Sequence, residues 1–461
     1  MLTLSFDPNG APLYAQLYAA LVEELRSGRM RAGERLPSKR ALAAHLQVSL
    51  NTVDAAYQML VSEGYLEARP RSGYFACPPE PMTPPPPRPA APPTVAPARD
   101  GDAVRYDLTT RSVDTAFFPF KTWAKLSREV LSGGAALLNH GEQGGDGCLR
   151  RAVARYLHEF RGVRCDASQV FLGAGTEYLL GLLAPLLSGA VAVEDPGYPK
   201  TADVLQNSGA TISHLPVDDR GLSVEALRHS GCTAAYVTPS HQFPTGVTMP
   251  VGRRAELLRW ACEEEGRYII EDDYDSEFRF DGRPIPAMQG LDEHGHVIYL
   301  STFSRSLAPS MRIAYMVLPQ ELMARFRARY GAYASTVSRF EQHTLARFLD
   351  DGHFARHLNR VRSVYRARKD ALIEALLCEL PRDRVEICCP NTGLHLPVRL
   401  SLGLEEEELQ RRAAQAGVRV SVLSRYEYTP RAHTPTLILG YSAPAADELR
   451  DAVRALAAAF R

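Results

Sequence analysis

From Leu13 to Leu25, apolar residues recur at Leu13, Leu17, Ala20, Leu21 and Leu25, the spacing of one helix face, and Gly28 stops the run. A second helix is predicted from L-P-S-K-R-A-L-A-A-H-L, with Ser38 as its N-cap behind Pro37 and Leu42, Ala43 and Leu46 facing inward. Three residues on, Ser49 caps a third, L-N-T-V-D-A-A-Y-Q-M-L, which turns Val53, Ala56, Tyr57 and Leu60 to the core. The alternation of G-Y-L-E-A-R-P-R-S-G-Y-F-A around Arg69 to Gly73 predicts a hairpin. Helix, helix, tight turn, helix and hairpin make a winged helix-turn-helix.

Beyond residue 104 the period changes. Near-continuous apolar runs (QVFLGAG, AVAVEDP, ATISHLPV, TAAYVTPS, RYIIEDDY and HVIYLSTF) alternate with helical stretches, as in a buried, mainly parallel sheet. Five of the runs lead into polar, Gly- or Pro-bearing segments: GAGTE, EDPGYP, TPSHQFPTG, EDDYD and STFSRS. Ligands of open α/β sheets bind beyond the carboxyl ends of the strands, so five such loops predict one shared pocket. From about Gln320 the pattern turns helical and then mixed, which predicts a smaller α+β lobe. Between the two patterns, Cys77 to Val104 holds 11 prolines in 28 residues. Such a run favours extended polyproline II, spanning roughly 85 Å at most, and cannot hold a core. The expected organisation is therefore a DNA-reading domain over 1–76, a linker over 77–104 and an α/β body over 105–461.

Composition narrows the partners. The 461 residues carry 53 basic and 53 acidic side chains, so a globally steered polyanion binder is excluded and any nucleic-acid contact must be local. Arg29, Arg31, Arg35, Lys39 and Arg40 crowd into twelve positions beside the predicted helix-turn-helix. Double-stranded DNA is the expected partner, with Ser49, Asn51 and Thr52 (and Leu50 between them) at the recognition-helix start. Lys39 and Arg40 are placed near the DNA backbone, and Arg69 and Arg71 at the wing tip. A basic face on an ordinary three-helix scaffold stays open on composition alone. Eight cysteines without a C-x-x-C pair suit neither a disulfide framework nor a zinc site, so no metal is expected. No run approaches 18 apolar residues, and MLTLSFDPNG lacks a basic-then-apolar leader. A soluble, reduced, cytoplasmic protein without a membrane partner is predicted.

The loops also have chemical readings. Gly175, Thr176 and Glu177 lie where a strand meets a helix, and free N–H groups there suit a phosphate. Tyr198 could lie flat on an aromatic ring. Asp272 could pair with a protonated pyridine nitrogen, and Tyr274 could donate to a phenolic oxygen. Thr302 and Ser304 offer hydroxyls, and Arg312 a bidentate fork for phosphate. Taken singly, these features read better as a strand-end turn, a surface tyrosine and a solvated acidic run; their order and spacing together point to one site.

These segments resemble known families. Residues 13–75 look like the DNA-binding domain of the GntR family, and nearly the whole of 105–461 resembles fold-type I aminotransferases. The phrases PSHQFPTG, EDDYDSEFR and STFSRSLAPSMRIAY are similar to the MocR/GabR subfamily of GntR regulators. The resemblance implies pyridoxal 5'-phosphate in the body, DNA binding modulated by the cofactor or an amino compound, and a head-to-tail homodimer. It implies an arginine gripping the ligand carboxylate where this chain has Lys200. Three departures stand out. Leu50 replaces the family's arginine at the recognition-helix start. Leu437, Ile438 and Leu439 occupy the region where an aminotransferase places its carboxylate-clamping arginine, leaving Arg399, Arg419 or Arg425 as substitutes. Most telling, Arg305 replaces the Schiff-base lysine. A guanidinium keeps its proton and is delocalised, so it is no nucleophilic amine. The expectation is a regulator that senses pyridoxal phosphate or an amine adduct noncovalently and lacks transaminase activity. An aminotransferase with a tethered DNA-binding domain and a regulator with a vestigial pocket are the alternatives.

Overall fold

A computed structural model describes residues 6–7, 10–77, 104–110, 113–280, 285–391 and 393–461. The chain forms two compact units, Met1–Arg99 and Asp100–Arg461, divided inside the proline-rich run. Most of the expected linker, 78–103, lies outside the described residues.

In the first unit, helices Leu13–Arg26, Lys39–Leu46 and Leu50–Ser62 precede a hairpin of Leu66–Arg69 and Gly73–Ala76. Ser38 and Ser49 cap their helices by accepting from the N–H of Ala41 and Thr52. Leu17, Leu21, Leu25, Val53, Tyr57 and Leu60 form the centre of the core, each side chain contributing roughly 2 kcal/mol by leaving water. Leu13, expected on the buried face, is exposed because it lies in the first helical turn, and Ala20 is only half-buried.

The second unit is built on an eight-stranded sheet. Its spatial order is Val170–Gly173, Ala314–Val317, Val297–Thr302, Tyr268–Asp272, Ala234–Val237, Ala190–Asp195, Thr211–Asp218 and Gly221–Leu222. The six strands foreseen from sequence all run one way, so the five carboxyl ends that bear the polar loops meet along one edge. Ala314–Val317 was not foreseen: it pairs antiparallel on both sides and separates Val170–Gly173 from the rest. Thr211–Asp218 is the other departure. It lies next to the sheet margin and is largely solvent-facing, unlike its fully buried neighbours.

The smaller lobe is a four-stranded antiparallel sheet in the order Val385–Ile387, His395–Leu400, Thr436–Gly440 and Ser421–Val422. The 27-residue helix His353–Glu379 and the helix Ala446–Ala459 pack against its core. The lobe begins later than the pattern suggested. Helices Gln320–Tyr330 and Arg339–Asp350 bury their apolar faces with the large sheet, whereas Tyr106–Asp107 pairs with Val418–Arg419 and belongs to the small lobe. Among the described residues no helix is long and apolar enough to cross a membrane.

Candidate functional site

At the phosphate side of the expected pocket, Gly173 ends its strand and helix Thr176–Leu183 begins two residues after Ala174. Gly175 has a φ of +105°, a conformation that favours glycine, and the Arg312 guanidinium lies where a Cβ would stand. Arg312, itself left-handed at φ +50°, donates to Glu177 Oε2 at 2.7 Å and to the Ala174 carbonyl at 3.3 Å. Lys200 Nζ lies 3.9 Å from the other Glu177 oxygen and is well exposed. Burial, the largest single influence, would raise the Glu177 carboxyl, but the Arg312 hydrogen bond, a backbone N–H and the charges of Arg312 and Lys200 together hold the group below its ordinary value. The two cations expected to receive ligand anions thus share a protein carboxylate. Thr302 and Ser304 complete this side: the Thr302 hydroxyl donates to Ser304 Oγ or to the Ile313 carbonyl and accepts from the Ser304 N–H.

The acidic run after Tyr268–Asp272 divides its labour. Glu271 accepts from the N–H groups of Met288 and Gln289. Asp273 is locked to buried Arg161, with Nε 2.7 Å from Oδ2, and also accepts from the Tyr299 and Ser276 hydroxyls. Both are spent on holding the loop. Asp272 is different: its Oδ2 accepts from the Tyr236 hydroxyl, whereas its Oδ1 is buried without a partner. Burial pushes this carboxyl up to about 7, against the opposing pull of the Tyr236 hydroxyl. An orphaned buried carboxylate oxygen costs about 1–3 kcal/mol until something donates to it.

Tyr274 donates to the His241 carbonyl at 3.1 Å, and its hydroxyl lies 3.0 Å from His241 Nδ1. His241 in turn lies 2.9 Å from Asp275 Oδ2, with its Nε2 buried and unpartnered. Burial, with Asp275 alongside, raises the Tyr274 phenol well above its ordinary value and keeps it a hydrogen-bond donor. Tyr198 is 45% exposed and packs edge-on against Phe243, with ring centroids 5.5 Å apart.

Arg305 follows in the loop after Val297–Thr302. Half-buried, it donates from Nη1 to the Thr110 carbonyl at 2.6 Å. Its positive charge acts against the burial-driven rise in pKa of Tyr198, Asp272 and Tyr274. Of the proposed substitutes for a carboxylate clamp, Arg399 is bound to Glu386 and Arg419 to Asp107, and Arg425 is exposed. Leu437, Ile438 and Leu439 are wholly core residues of the small sheet.

Sequence reasoning missed Tyr236, His241, Asp275 and Thr110. His241 lies inside PSHQFPTG, directly beyond a strand end, where a polar residue that becomes buried needs a partner. Asp275 lies in EDDYD directly after Tyr274, whereas Tyr236, inside an apolar strand run, and Thr110 had no local mark.

In the first unit Ser49 is occupied as the cap of the third helix, with Thr52 Oγ1 2.9 Å from its Oγ. Asn51 and Leu50 are exposed beside it, and Arg40 is exposed with no partner among the described residues. Lys39 is not a free cation: it is ion-paired to Asp54 of the third helix and sits over the Tyr74 ring. It fastens the two helices of the motif together. Arg69 is bound to Glu67 at 2.7 Å and stacks on Phe75, while Arg71 stands exposed in the hairpin turn at φ +62°.

Residues 13–75 match the family of bacterial regulatory proteins of the gntR type, and residues 111–455 match aminotransferase class I and II. The chain is 38% identical to the uncharacterized HTH-type transcriptional regulator YdeL of Bacillus subtilis, over 98% of this chain and 97% of that one. It is 36% identical to the probable rhizopine catabolism regulatory protein MocR of Rhizobium meliloti, over 100% and 96%. This chain is a MocR-type GntR regulator. The larger unit of this MocR-type regulator is also similar to the solved kynurenine aminotransferase of Pyrococcus horikoshii, with a TM-score of 0.69 and 26% identity over 78% of this chain and 91% of that one. A GntR helix-turn-helix makes it a DNA-binding protein, and the aminotransferase fold is that of pyridoxal-phosphate proteins.

Proposed function

We propose that this transcription regulator binds pyridoxal 5'-phosphate, or an amine adduct of it, noncovalently in its aminotransferase-like unit, that occupancy of the pocket alters DNA binding, and that the unit does not transaminate. One observation carries the reading: Asp272 presents an orphaned buried oxygen at the strand edge where Arg305 stands in place of an amine.

The residues suit the cofactor. Asp272 would hold the protonated ring nitrogen, Tyr198 would cover a ring face, and the Tyr274 hydroxyl would donate to the ring oxygen. The N–H groups at Gly175 and Thr176, the Ser304 hydroxyl and the Arg312 guanidinium would bind the phosphate, with Thr302 orienting Ser304. Lys200 offers a second cation toward a ligand carboxylate. When bound, pyridoxal phosphate supplies an aldehyde that condenses reversibly with amines. Transamination would require a protein amine at residue 305 both as nucleophile and as proton carrier, and a guanidinium serves as neither. The solved Pyrococcus relative holds PMP, which supports a pyridoxal-type ligand here. The same reading takes 1–76 as the DNA reader, 77–104 as the linker and 105–461 as the sensor, working as a head-to-tail homodimer.

The Glu177 contacts favour a second reading, in which an internal carboxylate has taken over the anion site and the pocket binds nothing. DNA-binding isotherms separate the two. Duplexes enriched from a random pool by the full chain are titrated with and without pyridoxal phosphate. The sensor reading expects the midpoint to move by roughly fivefold or more, the usual range of coupling between sites. Superimposable isotherms would support the vestigial pocket.

A further inference from the structure

Arg305 is half-buried, and its one hydrogen bond is to a neutral acceptor, the Thr110 carbonyl. No carboxylate pairs with it among the described residues. The nearest acid along the strand edge, Asp272, gives its bonded oxygen to Tyr236 rather than to the guanidinium. A guanidinium withdrawn from water and left without an anion is costly, and its planar fork matches a carboxylate bidentately. Thr110 engages one terminal nitrogen, and the other N–H groups have no partner among the described residues. The side chains around it reinforce the choice of a small anion. Burial raises the Tyr198 and Tyr274 phenols above their ordinary value, so neither brings a negative charge to compete. Tyr365, raised to about 12, is likewise neutral.

We infer that Arg305 is a ligand-selecting residue, and that the effector of this pocket is a pyridoxal-phosphate-type ring whose arm beside Arg305 ends in a carboxylate, as in an amino-acid conjugate of the cofactor. The inference rests on the proposed cofactor-type pocket and adds the chemical class of its ligand. Arg305 thereby changes from a lost catalytic group to a recognition group. Phosphate and ring contacts alone would accept the cofactor in any form, and the guanidinium makes the pocket discriminate among its derivatives.

Isothermal titration of the full chain with two probes tests this: pyridoxamine 5'-phosphate and N-(5'-phosphopyridoxyl)-glycine, which differ by one carboxymethyl group and contain no aldehyde. The wild type is expected to bind the glycine conjugate about tenfold or more tighter, the range of a charge-assisted hydrogen-bonded pair. Arg305→Gln should bind the two probes equally, whereas Lys200→Ala, whatever it does to affinity, should keep most of the preference. Equal binding of the two probes by the wild type overturns the inference while leaving the cofactor pocket standing. A preference lost in Lys200→Ala and kept in Arg305→Gln overturns it as well, by assigning the carboxylate to the other cation. Binding of neither probe overturns the pocket reading itself. The comparison of probes on the wild type needs no variant to fold.

Discussion

Asp272 is the side chain whose energetics depend most on what fills the pocket. Its carboxyl, raised to about 7 by burial, binds a proton in the folded chain at pH values where an unfolded aspartate, with a pKa near 4, has lost it. Its favourable contribution is therefore complete below about pH 4 and is lost as pH rises through about 7. Asp272→Asn never ionises. Between pH 5 and 8 the stability of that variant relative to the ligand-free wild type should rise by on the order of 1–3 kcal/mol, measured by urea melts. A difference independent of pH would mean that Asp272 is not the buried acid described. Glu177 makes an opposite kind of prediction. Because it occupies Arg312 and lies by Lys200, a ligand phosphate must displace it. Glu177→Gln should strengthen pyridoxamine-phosphate binding by roughly fivefold, about 1 kcal/mol, and a weakened affinity would show that Glu177 supports the site instead. Arg305→Lys supplies the missing amine. If the ring and phosphate contacts are as described, that one change should yield a covalent, borohydride-reducible attachment of pyridoxal phosphate at residue 305.

At the scale of elements, the third helix of the first unit depends on its cap. Removing the Ser49 hydroxyl should cost about 1 kcal/mol of the stability of this unit, because the Thr52 N–H loses its side-chain acceptor and keeps only the Ser49 carbonyl. Asn51 and Arg40 flank that start with free polar groups. Arg40→Ala is expected to weaken binding to all duplexes alike, and Asn51→Ala to change the preference among them. Two unchanged isotherms would remove both from the interface. These elements were legible because a serine cap, a helical period and a hairpin alternation are local patterns. The six parallel strands were legible for the same reason, as apolar runs. Ala314–Val317 was not, since R-I-A-Y-M-V is hidden within a segment whose polar residues drew attention to chemistry, and its antiparallel pairing is decided by two distant neighbours. Lys39 shows the limit at single residues: a cation in a basic cluster reads as a phosphate contact until Asp54, fifteen residues away, is seen to neutralise it. Asp272 and Asp273 are adjacent and chemically identical, yet only packing against Arg161 makes one structural and leaves the other with an open oxygen.

The whole molecule carries no net charge and divides into two compact units. A two-fold dimer is the proposed working form, since paired half-sites mirror protein symmetry. Solution scattering at micromolar concentration should return twice the 50.8 kDa chain mass, and a monomer would contradict it. The central claim is that the pocket holds pyridoxal phosphate without a covalent bond. Mass spectrometry of the chain saturated with pyridoxal phosphate, first under native and then under denaturing conditions, addresses it most directly. The account predicts one ligand per chain in the native spectrum and a return to the unmodified 50.8 kDa chain on denaturation after borohydride treatment. A phosphopyridoxyl group retained on Lys200 or any other lysine, or no ligand in the native spectrum, would contradict it.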